Sequence, residues 1–215
     1  MNLEIKNNIL NFKLIFWDFD GVIKESNHIK SKIFSEIFGF QDKYLEEKII
    51  RHHYENSGVS RYLKIPKYLS WSNKNLSENN IRKYSKKFSD EVVDQVIKSP
   101  WVPGVKEFLS EMPERNKNII VTATPTNEIH KILKELEITN FFLKIYGHPV
   151  EKSDAIEQSL RLLDIKPNEA CFIGDASQDL LSARRNNISF FLRKTIYNSD
   201  LAEKADSYFE DFSNE

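Results

Sequence analysis

Five short apolar runs constrain this chain more than any other feature. They fall at residues 14–17, 119–122, 143–146, 171–173 and 189–192, and polar or turn residues bound each one. Continuous apolar runs of this length are typical of strands in a parallel sheet covered on both faces. Between the later runs lie apolar residues at helical spacing. Ile129, Ile132, Leu133 and Leu136 form one stripe, Ile156, Leu160 and Leu163 another, and Leu180, Leu181 and Ala183 open a third. Strands alternating with helices predict βαβ units and an α/β fold. Tyr208-Phe209 is predicted as a last edge strand.

Between about Ser26 and Ser99 this alternation stops. Residues 28–38 carry Ile29, Ile33, Phe34, Ile37 and Phe38 at helical spacing, and 44–54 and 81–97 also read as helices. No strand pattern occurs there, which predicts a helical insertion after the first strand. Pro100, Pro103 and Gly104 then disfavour helix and mark the return to the main fold. The expected division is a core of residues 1–24 and 100–215 and a helical insert of residues 25–99.

A length of 215 residues fits a core with a small insertion. With 40% hydrophobic and 29% charged residues, the chain has the balance of a soluble globular protein. A net charge of -1 argues against a dedicated nucleic-acid binder. Arg82, Lys83, Lys86 and Lys87 read as a solvated helix face. The single cysteine, Cys171, sits in an apolar run and reads as a core thiol, compatible with a reducing compartment. No apolar run approaches membrane-spanning length, and the N-terminus lacks a signal-peptide core, so a cytoplasmic location is expected. Neither a phosphate-loop nor a dinucleotide glycine pattern occurs.

Four polar signals stand at predicted strand ends or helix starts, where α/β crevices bind ligands. The first strand runs into Asp18-Phe19-Asp20-Gly21-Val22. Positions i and i+2 of a strand share a face, so both carboxylates project together, and Gly21 lets the backbone turn away. The second signal is Thr122, whose hydroxyl can donate to a phosphate oxygen; by itself it reads equally as a strand-end residue. Lys152 precedes a predicted helix and can balance negative charge. Last comes Gly174-Asp175-Ala176-Ser177-Gln178-Asp179. Asp175 suits a hard divalent cation such as magnesium. Asp179 suits a supporting role or a helix cap.

As an ordered set, Asp18-x-Asp20-Gly21-Val22, Thr122, Lys152 and Gly174-Asp175-x-x-x-Asp179 resembles the haloacid dehalogenase superfamily. The insert resembles the helical cap of the phosphoglycolate phosphatase and β-phosphoglucomutase branch. The resemblance implies a Rossmann-like core under a mobile cap. It implies Mg2+ held by Asp18, Asp175 and the backbone carbonyl of Asp20, with Asp18 as nucleophile and Asp20 as acid and base. Thr122 and Lys152 would hold phosphoryl oxygens, with Asp179, Gly21 and Gly174 in support. Because dehalogenases of the superfamily lack the second aspartate of the first motif, Asp20 favours phosphoryl transfer.

The expected substrate is a small phosphorylated metabolite, a sugar phosphate among the candidates. A β-phosphoglucomutase-type mutase and a silent binding protein on the same scaffold stay open as alternatives, as does a monomer or a dimer. A phosphonatase reading would need a Schiff-base lysine, for which Lys30 and Lys64 are candidates. Residues 52–64 read as a polar loop able to reach the site, with an ordinary exposed loop an equal reading. In that loop Arg61 and Lys64 are candidates to hold a second anionic group, and His53, Asn56 and Ser60 to bind hydroxyls. Thr124 and His148 are further candidates to meet substrate. His52 and His53 have no zinc-site pattern around them.

Overall fold

The computed structural model describes residues 1–213. Six strands form one sheet: β1 Leu14–Trp17, β2 Lys117–Pro125, β3 Lys144–His148, β4 Ala170–Gly174, β5 Ser189–Arg193 and β6 Ser207–Phe209. Every neighbouring pair is parallel, in the order β3-β2-β1-β4-β5-β6. This is the α/β parallel-sheet architecture expected from the apolar runs, and Tyr208-Phe209 does join its edge. Strand β2 continues past its apolar stretch, so it is longer than predicted.

Alternate residues of the central strands enter two cores. Leu14, Phe16, Val121 and Phe172 pack on one face with α8 (Lys152–Leu163) and α9 (Ser177–Arg185). Ile15, Trp17, Ile120 and Ile173 pack on the other with α6 (Val105–Ser110) and α7 (Thr126–Glu135). Burial on both faces is why these strands read as unbroken apolar runs.

Four helices lie between β1 and α6: α2 Asn27–Phe38, α3 Lys43–Glu55, α4 Arg61–Trp71 and α5 Glu78–Lys98. They pack around aromatic rings, with Phe34 stacked on Phe88 at 4.0 Å and Tyr68 edge-on to Phe34 at 5.1 Å.

The reading of residues 52–64 as a loop needs correction. His52 and His53 belong to α3, Arg61 and Lys64 to α4, and a short turn joins the two. Ser60 caps α4 by accepting from the Tyr62 amide, and Ile65, Tyr68 and Leu69 bury its inner face. Pro66 inside the helix masked the pattern, since proline ordinarily argues against helix interior. The sequence reading also missed α1 (Leu3–Leu10) and α6, which are too short for a strong period. No helix among the described residues is long and apolar enough to cross a membrane.

Candidate active site

Strand order reverses between β1 and β4, since β2 and β3 lie to one side of β1 while β5 and β6 follow β4 on the other. Ligands of doubly wound sheets bind outside the strand ends at such a switch point. Trp17 and Ile173 are level in the ladder, and the Asp18 amide donates to the Ile173 carbonyl at 3.0 Å. The polar residues that follow β1 and β4 therefore meet. Gly21 lies at φ +76°, where a Cβ would stand 2.1 Å from Asp175 Oδ2. Both the left-handed backbone and the missing side chain are required for this approach.

Carboxylate oxygens of Asp18, Asp175 and Asp179 lie within 4.8 Å of one another, and all three residues are buried. Lys152, the first residue of α8, stands 3.0 Å from Asp18 Oδ1 and 2.5 Å from Asp179 Oδ1. Asp179 also accepts from the amides of Asp175 and Ala176 at 3.2 and 3.0 Å, so it caps α9 and anchors the lysine together. Absence of a side chain at Gly174 leaves room for it, because a Cβ there would lie 2.5 Å from Asp179 Cβ. Asn27 donates to Asp175 Oδ2 at 2.7 Å, and Asn198 donates to the Asp175 carbonyl at 2.7 Å.

Burial is the main cause that raises Asp18, which Lys152 opposes but does not reverse; Asp179 and Asp20 push it further up. Asp175 is raised well above the carboxylate range, by burial first and then by Asp18 and Asp179. For Lys152, burial opposes the charge, yet Asp179 and Asp18 outweigh burial and hold it above the usual lysine range. Asp18 Oδ1 is buried without an aligned hydrogen bond. An all-oxygen set of crowded carboxylates with one lysine between them fits a hard divalent cation.

The Asp20 carboxylate is not part of this cluster. It accepts from Ser26 at 2.5 Å, Lys30 at 2.5 Å and Thr124 at 3.0 Å. Burial would raise Asp20, but Lys30 overrides it, helped by the hydrogen bonds from Lys30, Ser26 and Thr124, and the carboxyl is held below its ordinary value. Thr124 is therefore engaged with Asp20 and Lys30 rather than free for substrate. Thr122 is buried, with its Oγ1 accepting from the Thr124 amide at 3.2 Å.

On the helical side, Arg61 differs from expectation. Its two terminal nitrogens meet Glu128 of α7 at 2.9 and 2.6 Å, and Nη1 also donates to Ser89 at 2.7 Å. That bidentate pair takes up the guanidinium which the sequence offered to a substrate anion. Lys64 has His53 Nδ1 as its neighbour at 3.2 Å. His148 stacks on Tyr62 at 4.8 Å and, among the described residues, is not part of the cavity lining. Nor does Ser60 or Asn56 line the cavity: Ser60 caps α4, and the Asn56 amide is bonded to the His52 carbonyl at 2.9 Å.

Asp18, Asp20 and Thr122 share a cavity of about 40 Å³ with Lys30, His53 and Lys64. An open cleft of about 950 Å³ reaches Asp175 from another side, with Tyr54 and Tyr197, whose rings stack on each other at 4.1 Å, in its lining. Sequence reasoning passed over Ser26, Asn27, Asn198 and Glu128. The available signal was modest: Asn27 and Lys30 form a polar start to an apolar helical stripe.

A parallel sheet with an acidic cluster at its switch point defines a crevice enzyme of the doubly wound α/β class. Within that class, the chain belongs to the haloacid dehalogenase-like hydrolase family, whose profile matches residues 15–192. None of the curated proteins matches the chain. Among solved structures, a haloacid dehalogenase-like family hydrolase from Streptococcus pneumoniae is 23% identical, with TM-score 0.68 over 92% of this chain and 93% of that one. β-Phosphoglucomutase from Clostridium difficile is 18% identical, with TM-score 0.73 over 94% and 92%. CbbY from Rhodobacter sphaeroides, solved with phosphate, is 17% identical, with TM-score 0.76 over 94% and 95%. At these identities the likeness is one of fold.

Proposed function

We propose that this chain is a magnesium-dependent phosphatase of small phosphorylated metabolites, with Asp18 as its nucleophile. The observation that carries the reading is the meeting of Asp18 and Asp175 carboxylates, with Lys152 3.0 Å from Asp18, at the switch point of the sheet. Asp18, Asp175 and the main-chain carbonyl of Asp20 would hold the magnesium ion, which when bound neutralises charge on the phosphate and on Asp18 and fixes their alignment.

Asp18 attacks phosphorus and becomes an aspartyl phosphate as the ester oxygen leaves. Asp20 gives its proton to that oxygen. It then takes a proton from the water that splits the intermediate. Lys152 orients Asp18 and binds phosphoryl oxygens with Thr122, while Asp179 holds Lys152 in place. Asp20 starts paired with Lys30, which favours its ionised form. An entering phosphoryl group competes for Lys30, and its negative charge raises Asp20 toward the protonated form the first step needs.

Residues 25–99 act as a cap over a core of residues 1–24 and 100–215. The cavity volume supports a moving cap. About 40 Å³ holds roughly three waters, too little for a metabolite, so substrate entry requires the helices to lift and closure then excludes water.

The test is phosphate release from a panel of phosphorylated metabolites and p-nitrophenyl phosphate. Release that EDTA abolishes and magnesium restores is the expected result. Release indifferent to EDTA, or isomerisation of a sugar phosphate without release, sinks the reading.

A further inference from the structure

Strand β4 ends at Gly174, whose ladder partner is Leu192 of β5, and Asp175 is the next residue, one step beyond the ladder. A buried backbone carbonyl there must find its donor elsewhere. A side chain supplies it. Asn198 Nδ2 donates to the Asp175 carbonyl at 2.7 Å and to the Arg193 carbonyl at 3.0 Å, while its Oδ1 accepts from the Thr195 amide at 2.6 Å. Buried Asn198 thus fastens the loop after β5 to the main chain of Asp175.

The neighbouring Tyr197 is 60% exposed and belongs to neither hydrophobic core. What it packs on is Tyr54 of α3, with ring centroids 4.1 Å apart and planes 17° from parallel. The helical insert reaches the same aspartate by a second route. Asn27, the first residue of α2, donates to Asp175 Oδ2 at 2.7 Å. Gly21 makes room for this bond, since a Cβ there would stand 2.5 Å from Asn27 Nδ2. All five residues, Asn27, Tyr54, Asp175, Tyr197 and Asn198, line one open cleft.

A carboxylate held in place by fixed donors binds a cation more tightly than one free to turn, because less freedom is lost on binding. We propose that the helical insert positions Asp175 for the divalent cation, Asn27 by aligning its carboxylate and Tyr54 by steadying its main chain through Tyr197 and Asn198. The proposal rests on the magnesium reading above and deepens it: cation binding and cap closure are thermodynamically coupled. By linkage, loosening these contacts weakens the cation, and the bound cation in turn favours the closed cap.

Titration calorimetry with magnesium chloride, without any phosphate ester, tests this apart from turnover. Asn198→Ala should weaken magnesium binding by about ten- to a hundredfold and Asn27→Ala by about tenfold. Tyr54→Ala, which acts from the insert, should weaken it by about fivefold. Added to Asn198→Ala, Tyr54→Ala should cost nothing more, because the route between them is already cut. A purely structural role would lower Tm and leave the dissociation constant where it was. Unchanged or tighter magnesium binding in either Asn27→Ala or Tyr54→Ala, with the parent's circular dichroism spectrum, overturns the proposal, and these two variants decide it if Asn198→Ala does not fold. That result, with magnesium-dependent hydrolysis of p-nitrophenyl phosphate intact in the unmodified protein, overturns this proposal alone. An unmodified protein that binds no magnesium overturns the magnesium reading and this proposal with it.

Discussion

On the floor of the crevice, Lys152 stands among Asp18, Asp175 and Asp179; on the helical side, Lys30, Arg61 and Lys64 carry the opposite sign. The floor is built from short side chains that follow strand ends, so the backbone ladder sets their places. The wall is built from long side chains on helices, whose places depend on what they pair with. Lys30 reaches Asp20 across the seam, and Arg61 reaches Glu128. Two ring stacks, Tyr54 on Tyr197 and Tyr62 on His148, also cross it. The comparison teaches a division of labour: a rigid acidic floor suits chemistry, and a cationic wall that docks through a few contacts suits substrate choice and closure.

The sharpest way to break this division is Asp18→Asn. Removing the proposed nucleophile from the floor should lower kcat by about 10⁴-fold or more, with the circular dichroism spectrum unchanged. Near-normal turnover in that variant would move the chemistry elsewhere.

Asp20 straddles both regions, and Asp20→Asn separates its roles. For an alkyl phosphate, whose leaving oxygen needs a proton, the loss should be about 10²- to 10⁴-fold. For p-nitrophenyl phosphate, whose phenolate leaves without one, the loss should be much smaller. Equal losses on both substrates would point to a structural role.

Glu128→Gln strands the Arg61 charge on the wall and should destabilise the closed arrangement by about 3 kcal/mol, a fall in Tm of about 6–12 °C. A thermal melt within a degree of the parent would show that the seam does not depend on this pair.

The smallest effect concerns pH. Lys30→Met removes the cation that holds Asp20 low and should raise that carboxyl. A general acid works protonated, so rate falls as pH rises through its pKa. The alkaline limb of kcat should therefore move to higher pH in the variant. An unmoved limb would mean that Lys30 does not govern Asp20 during turnover.

Much of the floor was legible before any coordinates. Apolar runs fully buried on both faces have no other common fate than a covered parallel sheet. The polar residues ending them, Asp18 and Asp175, inherit the strand ends as their address. The wall was far less legible. Residues 52–64 read as loop although α4 begins at Arg61, because Gly58 and Pro66 suggest a break, while the burial of Ile65, Tyr68 and Leu69 that makes the helix worthwhile came from α2 and α5. Arg61 read as a free anion binder because nothing within its own segment announces a carboxylate 67 residues away.

From sequence alone came the parallel α/β sheet, the helical stretch after β1, and the carboxylates that gather at the switch point. These follow from short-range rules, since alternation, run length and strand ends are local properties. Tertiary structure alone decided which cation meets which carboxylate: Lys30 with Asp20, Arg61 with Glu128, and Lys64, among the described residues, with none. Ion pairing falls off within a few ångströms and takes no account of separation along the chain, so only the packed helices could settle it.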